Sequence, residues 1–128
     1  MANIAFFDIP ADNVGRAKHF YSSLFGWKIN LGKTTPDQEK IAAMQYHAVL
    51  TGEAKEGTMN MGGLYKRQMN ETIKNYVEVE DIDAVLKMVE RLGGRIMMPK
   101  EMIPGVGLVA MIRDTEGNGI GVWKPVMQ

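Results

Sequence analysis

The 128-residue chain is the length of one compact domain, enough to bury about two-thirds of the surface that its unfolded form exposes. Its 15 basic and 15 acidic residues cancel, and local charge clusters such as Glu78 to Asp83 are short and mixed with apolar residues, so no electrostatic footprint for nucleic acid exists. It has no cysteine, which excludes disulfides, thiolate nucleophiles and thiolate metal sites.

In chain order, Ile4 to Ile9 alternates and is rich in β-formers, which predicts a strand. Asp8 and Asp12 interrupt the apolar run that a secretory leader needs, and no later stretch approaches membrane-spanning length, so a soluble, cytoplasmic protein is expected. Val14, Ala17, Phe20, Tyr21 and Leu24 then recur at helical spacing and stop at Gly26. Two further strands are expected over Trp27 to Leu31 and Ile41 to Leu50, separated by a polar loop from Lys33 to Lys40, and a last strand follows Asn60. Ile73 to Val79 reads as a strand again. Ile82, Val85, Met88, Val89 and Leu92 repeat the helical spacing before Gly93 and Gly94, and strands are expected over Arg95 to Met98 and Leu108 to Arg113. Eleven methionines are scattered throughout and read as fillers of an irregular core.

The two halves superimpose. Val14 falls over Ile82, Ala17 over Val85, Leu24 over Leu92 and Gly26 over Gly94, with Asn13 and Asp81 at matching N-cap positions. Asn60 to Lys66 falls over Asn118 to Lys124 at a shorter offset, the first half holding the longer loop. Two copies cannot make a solenoid, so two half-sheets that bury each other are expected. The predicted fold is α+β: one domain of two βαβββ modules, about 1–68 and 69–128, forming an eight-stranded curved mixed sheet around a cup with the helices on its outer face.

That arrangement, with the phrases Phe20-Tyr21-Ser22-Ser23-Leu24-Phe25-Gly26-Trp27 and Asp114-Thr115-Glu116-Gly117-Asn118, resembles the vicinal oxygen chelate superfamily over nearly the whole chain. The resemblance implies paired βαβββ modules, often dimeric. Its members include glyoxalases, extradiol dioxygenases, epimerases, fosfomycin-modifying enzymes and metal-free antibiotic-binding proteins. Fold alone does not choose among these, so the choice rests on the cup.

Strand alternation sends Ala5, Phe7 and Ile9 to the helix side and Ile4, Phe6 and Asp8 to the cup. By the same parity Lys74, Tyr76 and Glu78 enter the cup from the fifth strand, Met61, Gly63 and Tyr65 from the fourth, and Gly119, Gly121 and Trp123 from the eighth. The resemblance implies one metal ligand on each of the first, fourth, fifth and eighth strands, and the repeat places Phe6, Gly63, Lys74 and Gly121 there. None is an ordinary ligand for a divalent ion: phenylalanine and glycine offer no donor and an ammonium repels cations. No metal and no cofactor are therefore expected.

His19 is expected on the solvated side of the first helix, and His47 enters the cup if Gln45 and Val49 share its face. Lys74 among Phe6, Tyr65, Tyr76 and Trp123 could anchor an anion, or simply pair with Asp8 or Glu78 or reach water. Met61-Gly62-Gly63 lacks the spacing of a phosphate loop, and its glycines are read as close backbone approach across the cup. Pro104 to Gly107 reads as a loop or a flap over the opening, and Asp114 to Gly119 as a hairpin turn.

Three functions stay open at this level. The first is a metal-independent binder of a small molecule, with Phe6, Asp8, Met61, Gly63, Tyr65, Lys74, Tyr76, Glu78, Gly121 and Trp123 lining its site. The second is a glyoxalase-type lyase or isomerase with a shifted metal or acid–base set, with His47, Lys74 and Glu78 as catalytic candidates and Asp8 as partner. The third is an assembly module with a collapsed cup. A homodimer, swapped or not, is expected from the resemblance, without nucleic-acid or membrane partners.

Overall fold

In each of two modules the first strand pairs with the last, and the two intervening strands lie beyond the last one. The computed structural model describes residues 2–31, 46–53, 55, 59–104 and 106–126. Two compact units divide the chain, one formed by Phe6–Ile73 and the other by Lys74–Gln128 with the first five residues. The first contains β1 (Asn3–Ala11) from Phe6 onward, α1 (Val14–Phe25), β2 (Lys28–Leu31), β3 (His47–Leu50) and β4 (Met61–Lys66). The second contains β5 (Lys74–Glu78), α2 (Ile82–Val89), β6 (Arg95–Ile103), β7 (Gly107–Arg113) and β8 (Gly119–Lys124).

Strand order is β2-β3-β4-β1 in one unit and β5-β8-β7-β6 in the other. In each, the first strand pairs in parallel with the last and the other pairs are antiparallel. The α+β class, the eight strands in mixed sheet and the twofold βαβββ order therefore agree with expectation. β6 runs on to Ile103, past the expected Met98, with register shifts on the way. The expected loop Lys33 to Lys40 and the start of the third strand at Ile41 lie outside the described residues.

Both predicted N-caps form. The Asn13 side chain accepts from the Arg16 N–H at 2.9 Å, and that of Asp81 from the Ala84 N–H at 3.1 Å, each satisfying a donor that the first turn leaves open. Gly26 ends α1 in the left-handed region (φ 73°), where only glycine is free of strain. In the second unit that conformation falls on Gly93 (φ 94°) rather than Gly94.

The core of the first unit gathers Phe7, Ile9, Ala11, Val14, Ile29, Val49 and Leu64, with Ala17, Tyr21 and Trp27 against it. The second gathers Ile82, Ala110 and Val122 with Val79, Val85, Leu86, Leu108 and Ile112. The helix-facing and opposite faces of β1, β4, β5 and β8 therefore follow the predicted parity. The helical stripes are narrower than predicted: Phe20 and Leu24, and their repeat equivalents Met88 and Leu92, are exposed. At about 100° per residue Tyr21 lies about 20° from Val14 but Phe20 about 120° away, beyond the arc that the sheet covers.

Candidate functional site

Parallel pairing of β1 with β4 sets Asp8 beside Gly63, and antiparallel pairing of β3 with β4 sets Ala48 on Gly63's other side. All three lie on the sheet face opposite α1. Asp8 is the one buried charged residue among those described, 6 % exposed. A buried carboxylate needs donors, and the Tyr46 hydroxyl donates to Asp8 Oδ1 at 2.9 Å. The missing side chain of Gly63 makes this possible: a Cβ there would clash with the Tyr46 hydroxyl, well inside van der Waals contact, and lie 2.6 Å from Asp8 Oδ1. The ring of Tyr46 stacks on that of Tyr65, centroids 6.4 Å apart at 22°.

Burial, with the negative charges of Glu71 and Asp8 added, pushes the Tyr65 phenol from 10.0 up to about 12, against a smaller opposing effect of Arg67. Because the folded chain holds this proton more tightly than the unfolded one, the stabilisation is complete below about pH 10 and is lost as pH rises through about 12. Ultraviolet titration of tyrosinate is expected to show one phenol ionising near pH 12, and Asp8→Asn is expected to bring it downward.

Of the predicted residues in this unit, Asp8, Gly63 and Tyr65 thus come together. Phe6 shares their face and is half-buried, and Met61 shares it but is exposed. His47 is corrected. It does share a face with Val49, as supposed, but Val49 and its strand partners belong to the core beneath α1, so that face is the helix side. Tyr46, one residue earlier, takes the place intended for His47. The apolar Val49 was the available signal, since assigning it to the core reverses the parity of the strand.

The same face continues toward β2. Lys28 and Leu50 pair across β2 and β3, alternate with the core residues Ile29 and Val49, and line a surface pocket of about 350 Å³ with Gly26, Thr51, Gly52, Glu53 and Asn60. None of these seven residues was predicted. They sit at strand ends and in the connection between β3 and β4, where no periodicity marks them.

In the second unit Tyr76 of β5 pairs with Gly121 of β8, and Glu78 with Trp123. Tyr76 is 8 % exposed, and its ring occupies the space that a side chain on Gly121 would need. Side chains therefore fill the space at Gly63, where they replace the expected approach of backbones, and also at Gly121. Trp123 Nε1 donates to the Val106 carbonyl at 2.9 Å, tying the turn before β7 to β8. That bond fits a fixed loop rather than a flap. Lys74 is half-buried with its aliphatic stem beside Gly119, and Glu78 is exposed. At the β7–β8 turn Gly117 has φ 86°, and backbone and side-chain hydrogen bonds from Asn118 hold the Asp114 carboxyl below its ordinary value.

Among the described residues no three histidine, aspartate or glutamate side chains gather as a metal ion would require. No helix among them is long and apolar enough to cross a membrane.

Residues 3–122 match the family profile described as the glyoxalase/bleomycin resistance protein/dioxygenase superfamily. The chain is 32 % identical over 117 residues to a Mycobacterium tuberculosis protein named as a glyoxylase, CFP32, covering 91 % of this chain and 43 % of that one. It is 29 % identical over 129 residues to the anthracycline biosynthesis protein DnrV of Streptomyces peucetius, covering 94 % and 46 %. The chain therefore spans less than half the length of these curated relatives. Among solved structures, methylmalonyl-CoA epimerase from Mycobacterium tuberculosis shares the fold at a TM-score of 0.66 and 13 % identity, over 97 % of this chain and 88 % of that one.

Proposed function

Because the chain belongs to the glyoxalase/bleomycin resistance protein/dioxygenase superfamily, we propose that it binds a planar, largely apolar small molecule without a metal ion, on the Asp8 face of the Phe6–Ile73 unit. The observation that carries this reading is the filling of the Gly63 position. Where a superfamily metal ligand would stand on β4, the space belongs to the Tyr46 hydroxyl and Asp8. The β1 position holds Phe6, and in the other unit the corresponding positions hold Lys74 and Gly121. These residues do not fit a divalent cation.

What remains suits binding. The half-buried Tyr46, backed by the buried ring of Tyr65, offers aromatic surface beside Asp8, and the neighbouring pocket adds Leu50 and the cation Lys28. The name of DnrV makes an anthracycline, itself planar and polycyclic, the first probe. Thermal unfolding with an anthracycline is expected to move upward, by about 2.7 kcal/mol in stability when its concentration reaches a hundred times Kd. Tyr46→Phe, which removes one hydrogen bond at the Asp8 carboxylate, is expected to weaken binding by roughly three- to tenfold. No shift with any planar aromatic compound would remove the reading. So would stoichiometric zinc, nickel, manganese or iron in protein purified without chelator.

A second reading rests on the Tyr46–Asp8 pair itself. A buried carboxylate hydrogen-bonded to a phenol can take and return a proton, which makes the pair the acid–base set of a glyoxalase-type lyase or isomerase. Turnover of a ketone or thioester substrate that disappears in Asp8→Asn, with fold intact, would favour this second reading over simple binding.

A further inference from the structure

We propose that the Lys74–Gln128 unit carries a binding site of its own, for the phosphoryl group of a small phosphorylated molecule, where Arg95 at the start of β6 meets Arg113 at the end of β7. The site lies outside the Phe6–Ile73 unit, so it goes beyond the ligand reading and does not depend on it. Antiparallel pairing of β6 with β7 sets Arg95 directly opposite Arg113. Side chains so placed stand about 4.5–5.5 Å apart at Cβ, and like charges there repel. Both residues are exposed, and neither guanidinium has an ion pair or a side-chain hydrogen bond among the described residues. A repelling pair left without a counter-charge is an arrangement that an anion completes.

The row of cations continues across the sheet. Pairing of β7 with β8 sets Gly119 beside Arg113, and on the other side of Gly119 the stem of Lys74 from β5 lies 3.9 Å from where a Cβ would stand. No other side chain among the described residues comes within 4 Å of that point, so the gap between Arg113 and Lys74 is open. Gly121, two residues on, differs: the Tyr76 ring fills its space. Two guanidinium forks and one ammonium around an open notch match a doubly charged oxyanion, because arginine N–H groups pair with phosphate oxygens two at a time and lysine adds a point charge. The neighbouring carboxylates are engaged elsewhere. Asp114 accepts from the Glu116 N–H and from the backbone and side chain of Asn118, and Glu116 accepts from the Thr115 hydroxyl. In the next row of the same face, opposite the core residues Ala110 and Ile112, the half-buried Met98 and Met111 pair across β6 and β7. Their thioethers give an apolar rest to the group that bears the phosphate.

Calorimetric titration of the full chain with phenyl phosphate, at fixed ionic strength, tests this. Saturable binding is expected, and Arg95→Gln and Arg113→Gln are each expected to weaken it about five- to tenfold. Gly119→Leu, which fills the notch without touching the charges, is expected to weaken it by a similar factor. Benzoate, with the same ring and a single charge, is expected to bind at least about fivefold more weakly. Arg16→Gln, on α1 of the other unit, is expected to change nothing. Without ligand, both Arg95→Gln and Arg113→Gln are expected to resist urea at least as well as the wild type, since each removes a repelling pair, so that lost binding is not lost fold. No binding of phenyl phosphate overturns the proposal. So does binding that any of the three site variants leaves unchanged, that Arg16→Gln weakens equally, or that benzoate matches.

Discussion

Gly63→Ala is expected to destabilise the protein by about 2–6 kcal/mol, although it adds a single methyl group. Two costs combine. The methyl would lie 2.6 Å from Asp8 Oδ1 and closer still to the Tyr46 hydroxyl, so the tyrosine must leave, at an overpacking cost of about 1–3 kcal/mol. Its departure then takes a donor from a carboxylate only 6 % exposed, which costs roughly another 1–3 kcal/mol if water does not replace it. Urea denaturation measures the sum. The double variant Gly63→Ala with Tyr46→Ala is the control: with the ring removed only the close contact with Asp8 remains, so the methyl should then cost less than in the wild type. Equal cost in both backgrounds would show that Tyr46 does not occupy this space. Gly121→Ala is expected to act in kind on Tyr76, whose Cγ lies 2.7 Å from the added carbon.

Leu64→Ala, one residue further along β4, is expected to cost about 2–5 kcal/mol for the opposite reason. Its side chain is 0 % exposed among Phe7, Ile9, Val14, Ile29 and Val49, and removing it leaves a cavity that this close-packed shell cannot fill. Against a total stability of about 5–15 kcal/mol, that is a large fraction. The urea midpoint should fall with little change in its slope, since the surface exposed on unfolding barely changes. Leu92→Ala is the comparison. Leu92 belongs to the same kind of helical stripe by sequence, yet it is 69 % exposed, and its loss is expected to stay within about 0.5 kcal/mol. A core-sized effect at Leu92 would put the turn after α2 deeper than the structure has it.

Successive residues of β4 thus obey opposite demands because a strand presents them to opposite faces. Gly63 must stay small where two side chains from neighbouring strands meet, and Leu64 must stay large where the sheet rests on α1. Asp8, Tyr46 and Tyr65 on the opposite face are polar or aromatic and packed on one another, and that face, not the helix side, carries the proposed binding chemistry.

Periodicity and capping alone determined the repeat, the two βαβββ modules, the helix starts at Asn13 and Asp81 and the parity of β1, β4, β5 and β8. These are local properties: alternation every second residue, recurrence every third or fourth, and a side chain able to accept the bonds of a first turn. Only the tertiary structure decided what lay between chain segments far apart. Tyr46 reaches Asp8 across 38 positions of sequence, and no local pattern encodes that meeting. The parity of β3 depended on which side Val49 buried, so His47 went to the helix face and Tyr46 to the other. The same holds for Phe20 and Leu24: their spacing qualified them for a core, but the width of the sheet beneath a helix sets how many of its apolar residues are covered. Spacing defines a stripe, and only the packed partner defines how much of it is buried.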